Sequence, residues 1–211
     1  MTWQPKYKLW LSIFLIWLFT ISGIIGISSP NAEWFLSLTP LNLLLTFTIM
    51  FVNIQEINLK VFAALSIPFF LGFVTEALGV NFGLVYGNYT YGNNLGFKVF
   101  GVPLLICINW AVLTAITADI AKQFFKNIWV SAFTGAALMT GLDVIIEVSA
   151  PRFDYWEFEN GIVPLQNYLG WLGTAFLAHL AYQKFNIKTN RTLSRHIYIS
   201  ILVFFSAFLI F

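Results

Sequence analysis

Three acidic residues stand inside otherwise apolar runs: Glu76, Asp143 and Glu147. Asp143 and Glu147 are four positions apart, so on a helix their side chains share one face. Two carboxylates this close, away from water, resist double ionisation. The pair is expected to hold a single proton, leaving a protonated acid beside an ionised base. General acid–base catalysis needs that division of labour. Arg152, one or two turns further on, is placed to hold one of the two ionised. A charge at the centre of a bilayer costs roughly 2.5 to 3.5 kcal/mol on insertion scales, so an acid retained there points to function. Two plainer readings compete: Glu76 snorkelling to the membrane interface, and Asp143 with Glu147 as a hydrogen-bonded pair between helices.

These acids need elements to hold them, and composition says in what solvent. Of the 211 residues, 59% are hydrophobic and 9% charged, against about 25% charged in a soluble domain. Such a chain cannot cover a water-facing surface. The net charge of +2 is too small to argue for nucleic acid as a partner. One cysteine, Cys107, excludes a disulfide framework and a cysteine-based metal site. No His, Cys, Asp and Glu grouping has metal-ligand spacing, and no glycine-rich loop matches a nucleotide motif. Neither a metal nor a cofactor is therefore expected.

Apolar runs long enough to span a bilayer are read over residues 9–27, 35–54, 61–80, 99–118, 128–150 and 163–182. A shorter run follows at 196–211. The expected fold is an all-α, polytopic transmembrane bundle of about seven helices, or six if the last lies in the interface. It forms a single transmembrane domain over residues 1–211. Placing the N-terminus in the cytoplasm puts nine of the eleven basic residues on the cytoplasmic side, with only Lys98 and Arg152 outside. The expected location is the cell membrane.

In this arrangement two segments, 81–99 and 151–162, cap the outer side. Glycines 83, 87, 92 and 96 break any helix in the first, and the alternation of Tyr89 and Tyr91 around Thr90 suggests a short extended piece. The basic-residue count also sets depth. Glu76 falls in the outer third of the third helix, and Asp143 and Glu147 in the outer half of the fifth. Asn109 and Trp110 lie about three turns from the outer end of the fourth, and Gln166, Asn167 and Trp171 begin the sixth. Polar groups from four helices thus share one depth. Tyr86, Tyr89, Tyr91 and Trp156 either wall a pocket there or form an interfacial aromatic belt. Asp119 reads as a solvated charge at a cytoplasmic helix end, and His179 as a core hydrogen-bonder.

The stretch Glu76-x-x-Gly79, Gly83, Tyr86-Gly87-Asn88-Tyr89-Thr90-Tyr91 and Gly101-Val102-Pro103-Leu104-Leu105 resembles bacterial and archaeal carotenoid biosynthesis proteins of the carotenoid 1,2-hydratase type. The resemblance continues through Asn109-Trp110, Asp143-x-x-x-Glu147 and Pro164-Leu165-x-Asn167-Tyr168-x-x-Trp171, covering roughly residues 70 to 175. In the family pattern a proline often follows the second acid of the fifth helix, where this chain has Val148.

The resemblance implies addition of water to the terminal C1=C2 double bond of an acyclic carotenoid end group, giving a tertiary alcohol without a cofactor. Glu76, Asp143 and Glu147 would supply acid and base, with Asp143 as the acid because it lies deeper, and Glu147 as the base for water. Tyr86, Tyr89, Tyr91, Trp110, Trp156 and Trp171 would line the polyene, and Asn109 and Asn167 would hold water or orient a carboxylate. The implied partners are the membrane-dissolved carotenoid, water, the bilayer and other enzymes of the pathway.

Three readings compete. An end-group cyclase or isomerase would quench the same cation by proton loss. A lipid or proton-coupled transporter would use the acids for transfer, but the chain has no internal repeat and few polar residues in its inner half. A retinal photoreceptor would be expected to carry a lysine in the last helix, and residues 196–211 have none. Reporter fusions test the topology: one near Gly92 should read as exterior and one near Asn190 as cytoplasmic. An interior signal at Gly92 would overturn the placement of the whole polar cluster.

Overall fold

The structure is a computed structural model and describes residues 5–209. Among these residues the chain forms eight helices: α1 (Pro5–Ile27), α2 (Ala32–Ser37), α3 (Thr39–Val52), α4 (Leu59–Phe82), α5 (Leu104–Phe124), α6 (Ile128–Ile146), α7 (Leu165–Gln183) and α8 (Arg191–Ser206). Short strands stand between them: β1 (Tyr89–Tyr91), β2 (Lys98–Val99), β3 (Val102–Pro103) and β4 (Trp156–Phe158). The expected helical bundle is present. By length and composition α1, α4, α5 and α6 are each able to cross a membrane.

Its surface is that of a protein dissolved in lipid. Large apolar side chains such as Phe14, Phe62, Phe70, Phe133 and Leu177 face outward, while Glu76, Asp143, Asn167 and His179 are buried. A water-soluble protein does not expose apolar area on this scale.

α5 sits at the centre and packs against α3, α4, α6, α7 and α8; α6 pairs with α7 and α1 with α8. Ala111, Ala115, Ala118 and Ala121 are all buried on α5, and small residues let neighbouring helices approach closely. α4, α6 and α8 each begin on an asparagine cap. Asn58 accepts from the Lys60 amide at 3.0 Å, Asn127 from the Trp129 amide at 2.9 Å, and Asn190 from the Leu193 amide at 3.2 Å. All three caps lie at the end of the bundle opposite the strands.

Several boundaries differ from the hydropathy reading. The second expected helix is two, α2 and α3, because Pro40 lacks an amide hydrogen and starts a new helix at Thr39. The fourth begins five residues late. Residues 98–103 form the β2–β3 hairpin, turned by Phe100 at φ 50° and Gly101 at φ 81°. α6 ends at Ile146, so Glu147 caps it. α8 starts at Arg191 and runs within the bundle against α1 and α5. Asp119 is not solvated: it is buried, accepting from Ser194 Oγ at 2.7 Å and from the Thr189 hydroxyl. His179 is a core hydrogen-bonder, 2.8 Å from Thr117 Oγ1 and 2.6 Å from the Ala175 carbonyl.

Two glycines matter to the site. Gly83 closes α4 in the left-handed region at φ 65°, which favours glycine, and releases the chain into the strand-bearing loop. Gly72 lets the Trp110 indole lie directly on α4; a Cβ there would stand 2.5 Å from Trp110 Cγ. Gly72→Ala is therefore expected to cost about 1 to 3 kcal/mol by overpacking, read as a lower unfolding midpoint of the detergent-solubilised protein. An unchanged midpoint would mean that the indole can move without loss.

Candidate active site

The two loops that face each other at one end of the bundle are stitched by β1 and β4. Antiparallel pairing sets Tyr89 opposite Phe158, Thr90 opposite Glu157 and Tyr91 opposite Trp156. Because side chains alternate along a strand, Tyr89, Tyr91, Trp156 and Phe158 share the inner face, and Thr90 and Glu157 are exposed. The extended piece expected around Thr90 is present and forms half of a lid.

Under that lid lies a cavity of about 410 Å³. Glu76, Asp143 and Glu147 all line it, as do Tyr86, Tyr89, Tyr91, Asn109, Trp110, Trp156, Asn167 and Trp171. The structure thus brings the three acids and the eight residues expected to line the substrate to one space. Gln166, at the same depth in the sequence reading, does not join them; it is exposed and donates to the Gly83 carbonyl at 3.2 Å. His179 and Asp119 do not line the cavity either.

Glu76, on α4, is 2% exposed and does not snorkel. It accepts from Trp110 Nε1 at 3.0 Å on one oxygen, and from the Tyr91 hydroxyl at 2.7 Å and the Tyr89 hydroxyl on the other. Burial first, and then the neighbouring Glu76 charge, raise the pKa of both loop tyrosines above the ordinary phenol value. Both phenols keep their protons and can donate. An indole N–H can only donate. This arrangement satisfies an ionised carboxylate.

The second site is a pair. Asn167, in the first turn of α7, donates through one Nδ2 to Asp143 Oδ2 at 2.9 Å and to Glu147 Oε1 at 3.1 Å. Trp156 Nε1 donates to Glu147 Oε2 at 2.9 Å. Both oxygens of Glu147 therefore have donors, whereas Oδ1 of Asp143 has none among the described residues. The positive end of the α7 dipole lies at the pair and favours one negative charge there. Two acids within reach of one amide, with a single uncommitted oxygen, are suited to hold one proton on Asp143 and the charge on Glu147.

The remaining wall is aromatic. Trp110 and Trp171 stack with ring centroids 4.5 Å apart, and Tyr86 flanks them at 6.5 and 6.3 Å. Tyr86 is positioned by its hydroxyl, 2.8 Å from Thr75 Oγ1. Asn109 faces the cavity with no hydrogen-bond partner among the described residues. Arg152, expected to steady an acid, instead donates to the Phe208 carbonyl at 3.1 Å and lies over the Phe153 and Phe208 rings.

Sequence reasoning missed the groups that support this set. Thr75 carries Tyr86, Lys98 Nζ donates to the Tyr91 carbonyl at 2.6 Å, and Tyr155 ties the lid to Thr39 on α3 at 3.0 Å. None has a local sequence signal, since each partner lies in another element. Sequence reading also missed the apolar lining from α1, α3 and α8, which is ordinary transmembrane sequence.

A family model described as "Carotenoid biosynthesis protein" matches residues 38–211. No curated protein and no solved structure matches the chain.

The Asn167 bridge gives a stability test. Asn167→Leu removes the donor shared by two buried carboxylates, and such unsatisfied groups cost about 1 to 3 kcal/mol each. A fall in the unfolding midpoint is expected, smaller in Asn167→Ser if its hydroxyl keeps one contact. A midpoint equal to wild type in Asn167→Leu would show that the carboxylates find other partners.

Proposed function

Because the chain belongs to the carotenoid biosynthesis protein family, and is accordingly a membrane protein, we propose that it adds water to the terminal C1=C2 double bond of an acyclic carotenoid end group. The observation that carries this reading is the Asp143–Asn167–Glu147 pair lining an aromatic cavity, with one oxygen of Asp143 lacking a donor among the described residues. The site is that of a multi-pass enzyme of the cell membrane, working on a bilayer-dissolved substrate, with other enzymes of the pathway as neighbours.

The reaction balances within the pair. Asp143 gives its proton to C2, and the tertiary cation forms at C1. Tyr86, Trp110 and Trp171 form an electron-rich wall beside that cation, and an aromatic face turned to a cation is worth about 0.5 to 2 kcal/mol. Glu147 takes one proton from a water whose oxygen bonds to C1, giving the tertiary alcohol. The proton then passes from Glu147 back to Asp143, which restores the starting state. Asn109, with its free amide, and Asn167 serve to place the water.

Glu76 has a different part from that of a proton donor. Three donors hold it as a fixed negative charge, which favours a nearby cation and orients Tyr89, Tyr91 and Trp110 along the wall. No redox or metal chemistry enters the sequence of bonds made and broken.

Asp143→Asn and Glu147→Gln should each lower hydration by about 10² to 10⁴-fold with the protein still present in membranes. Pigment extracted from cells that accumulate an acyclic carotenoid would be read by mass spectrometry for the gain of one water. The acid variant should return substrate unchanged. The base variant should give traces of isomerised or cyclised pigment, because its cation can still lose a proton. Near wild-type hydration by both variants at normal protein levels would remove these residues from the chemistry.

A further inference from the structure

The cavity has a blind end and an open end, and exposure tells them apart. Its lining residues from α4 to α8 and from the lid are buried or half-buried. The exposed ones are Leu18, Phe19 and Ser22 on α1, Trp34 on α2, and Leu41 and Asn42 on α3. The acids are therefore at the closed end, and the mouth is between α1 and α3, on the lipid-facing side of the bundle.

The frame of this mouth is built. α1 packs on α8 and α3 on α5, so the two helices lean on different neighbours. They are tied at the end away from the lid, where Asn53 donates to Ser12 Oγ at 2.9 Å and Lys8 to the Val52 carbonyl. At the lid end α2 roofs the gap: Phe35 sits on Gly26, where a Cβ would stand 2.3 Å from its ring. What remains between tie and roof is a window. Gly23 lies beside it with Phe204 of α8 as the inner wall.

We propose that this window is a lateral port through which one end of a linear polyene enters from the bilayer, end group first, while the rest of the chain stays in lipid. The inference rests on the hydratase reading for the identity of the end group. Its geometry needs only an elongated apolar ligand. The blind end carries the acids, while the mouth carries no charged group and is mostly apolar, with only Ser22 and Asn42 polar among its exposed residues; this suits a long hydrocarbon whose reactive part is terminal. With one port and one blind chamber, a single end reacts per visit, and the far end is not in contact with the acids.

The test is pigment retention. Wild type, Leu41→Trp, the double variant Ser22→Trp with Leu41→Trp, and the control Leu177→Trp on the lipid face of α7 would be purified from cells accumulating an acyclic carotenoid hydrocarbon. Visible absorbance per protein measures bound polyene. The double variant should retain about tenfold less or lower still, the effect of one or two misfitting side chains, and Leu177→Trp should match wild type. Equal retention by wild type and the double variant, or no retention by wild type, overturns the port.

A second reading needs no blocked path. A photoreactive phenylalanine analogue at position 41 should acquire polyene mass on illumination, and the same analogue at position 177 should not. Adducts at neither site, or equally at both, overturn the port. Loss of pigment in the double variant without any water-added product in wild type keeps the port and removes only the hydration reading.

Discussion

A carboxylate surrounded by lipid-facing helices has no water to accept hydrogen bonds from, so its donors must come from the protein itself. Glu76, Asp143 and Glu147 impose that requirement three times at one end of this bundle. The helices meet only part of it, through Trp110 and Asn167. The rest comes from the two loops, which fold back over the bundle and pair as β1 and β4 to deliver Tyr89, Tyr91 and Trp156. The lid is thus a consequence of the buried acids as much as a cover for them. Its own backbone is satisfied by the strand pairing, which allows non-helical chain so close to the apolar region.

The three acids are solvated differently, and the difference separates their chemistry. Glu76 has donors on both oxygens from three side chains, an arrangement that suits an ionised carboxylate. Glu147 is also matched on both oxygens. Among the described residues, Asp143 alone of the three keeps an oxygen without a donor. The proton belongs where it displaces no donor. That reasoning supports the acid and base roles proposed for the helix α6 pair and gives Glu76 an electrostatic one.

Polarity is distributed unevenly along the bundle. The opposite end has its own buried set, with Asp119 held by Ser194 and Thr189, and His179 held by Thr117 and Ala175. This set ties α5 to α7, α8 and the segment before α8, and the cavity does not reach it. A route through the membrane would have to join the two polar regions, so the geometry favours a chamber with one entrance over a carrier with two.

Much was legible in the sequence by itself. Apolar spans declare themselves because hydropathy is a sum over about 20 neighbouring residues, and the order of the spans puts Glu76, Asp143 and Glu147 toward one end of the bundle without any contact being known. The Tyr89-Thr90-Tyr91 alternation likewise is local. Local sums fail where local chemistry is ambiguous. Val99, Phe100 and Val102 read as helix but turn as a hairpin, since Gly101 takes a positive φ. Asp119 reads as solvated because its partners at 189 and 194 are seventy residues or more away in the chain. The site has the same origin. Which donor meets which acid, that Asn167 bridges two of them, and that α1 and α3 part to leave a window were decided only by tertiary packing. Hydrogen-bond partners and gaps between helices depend on relative positions of distant segments, and no spacing within one segment encodes those.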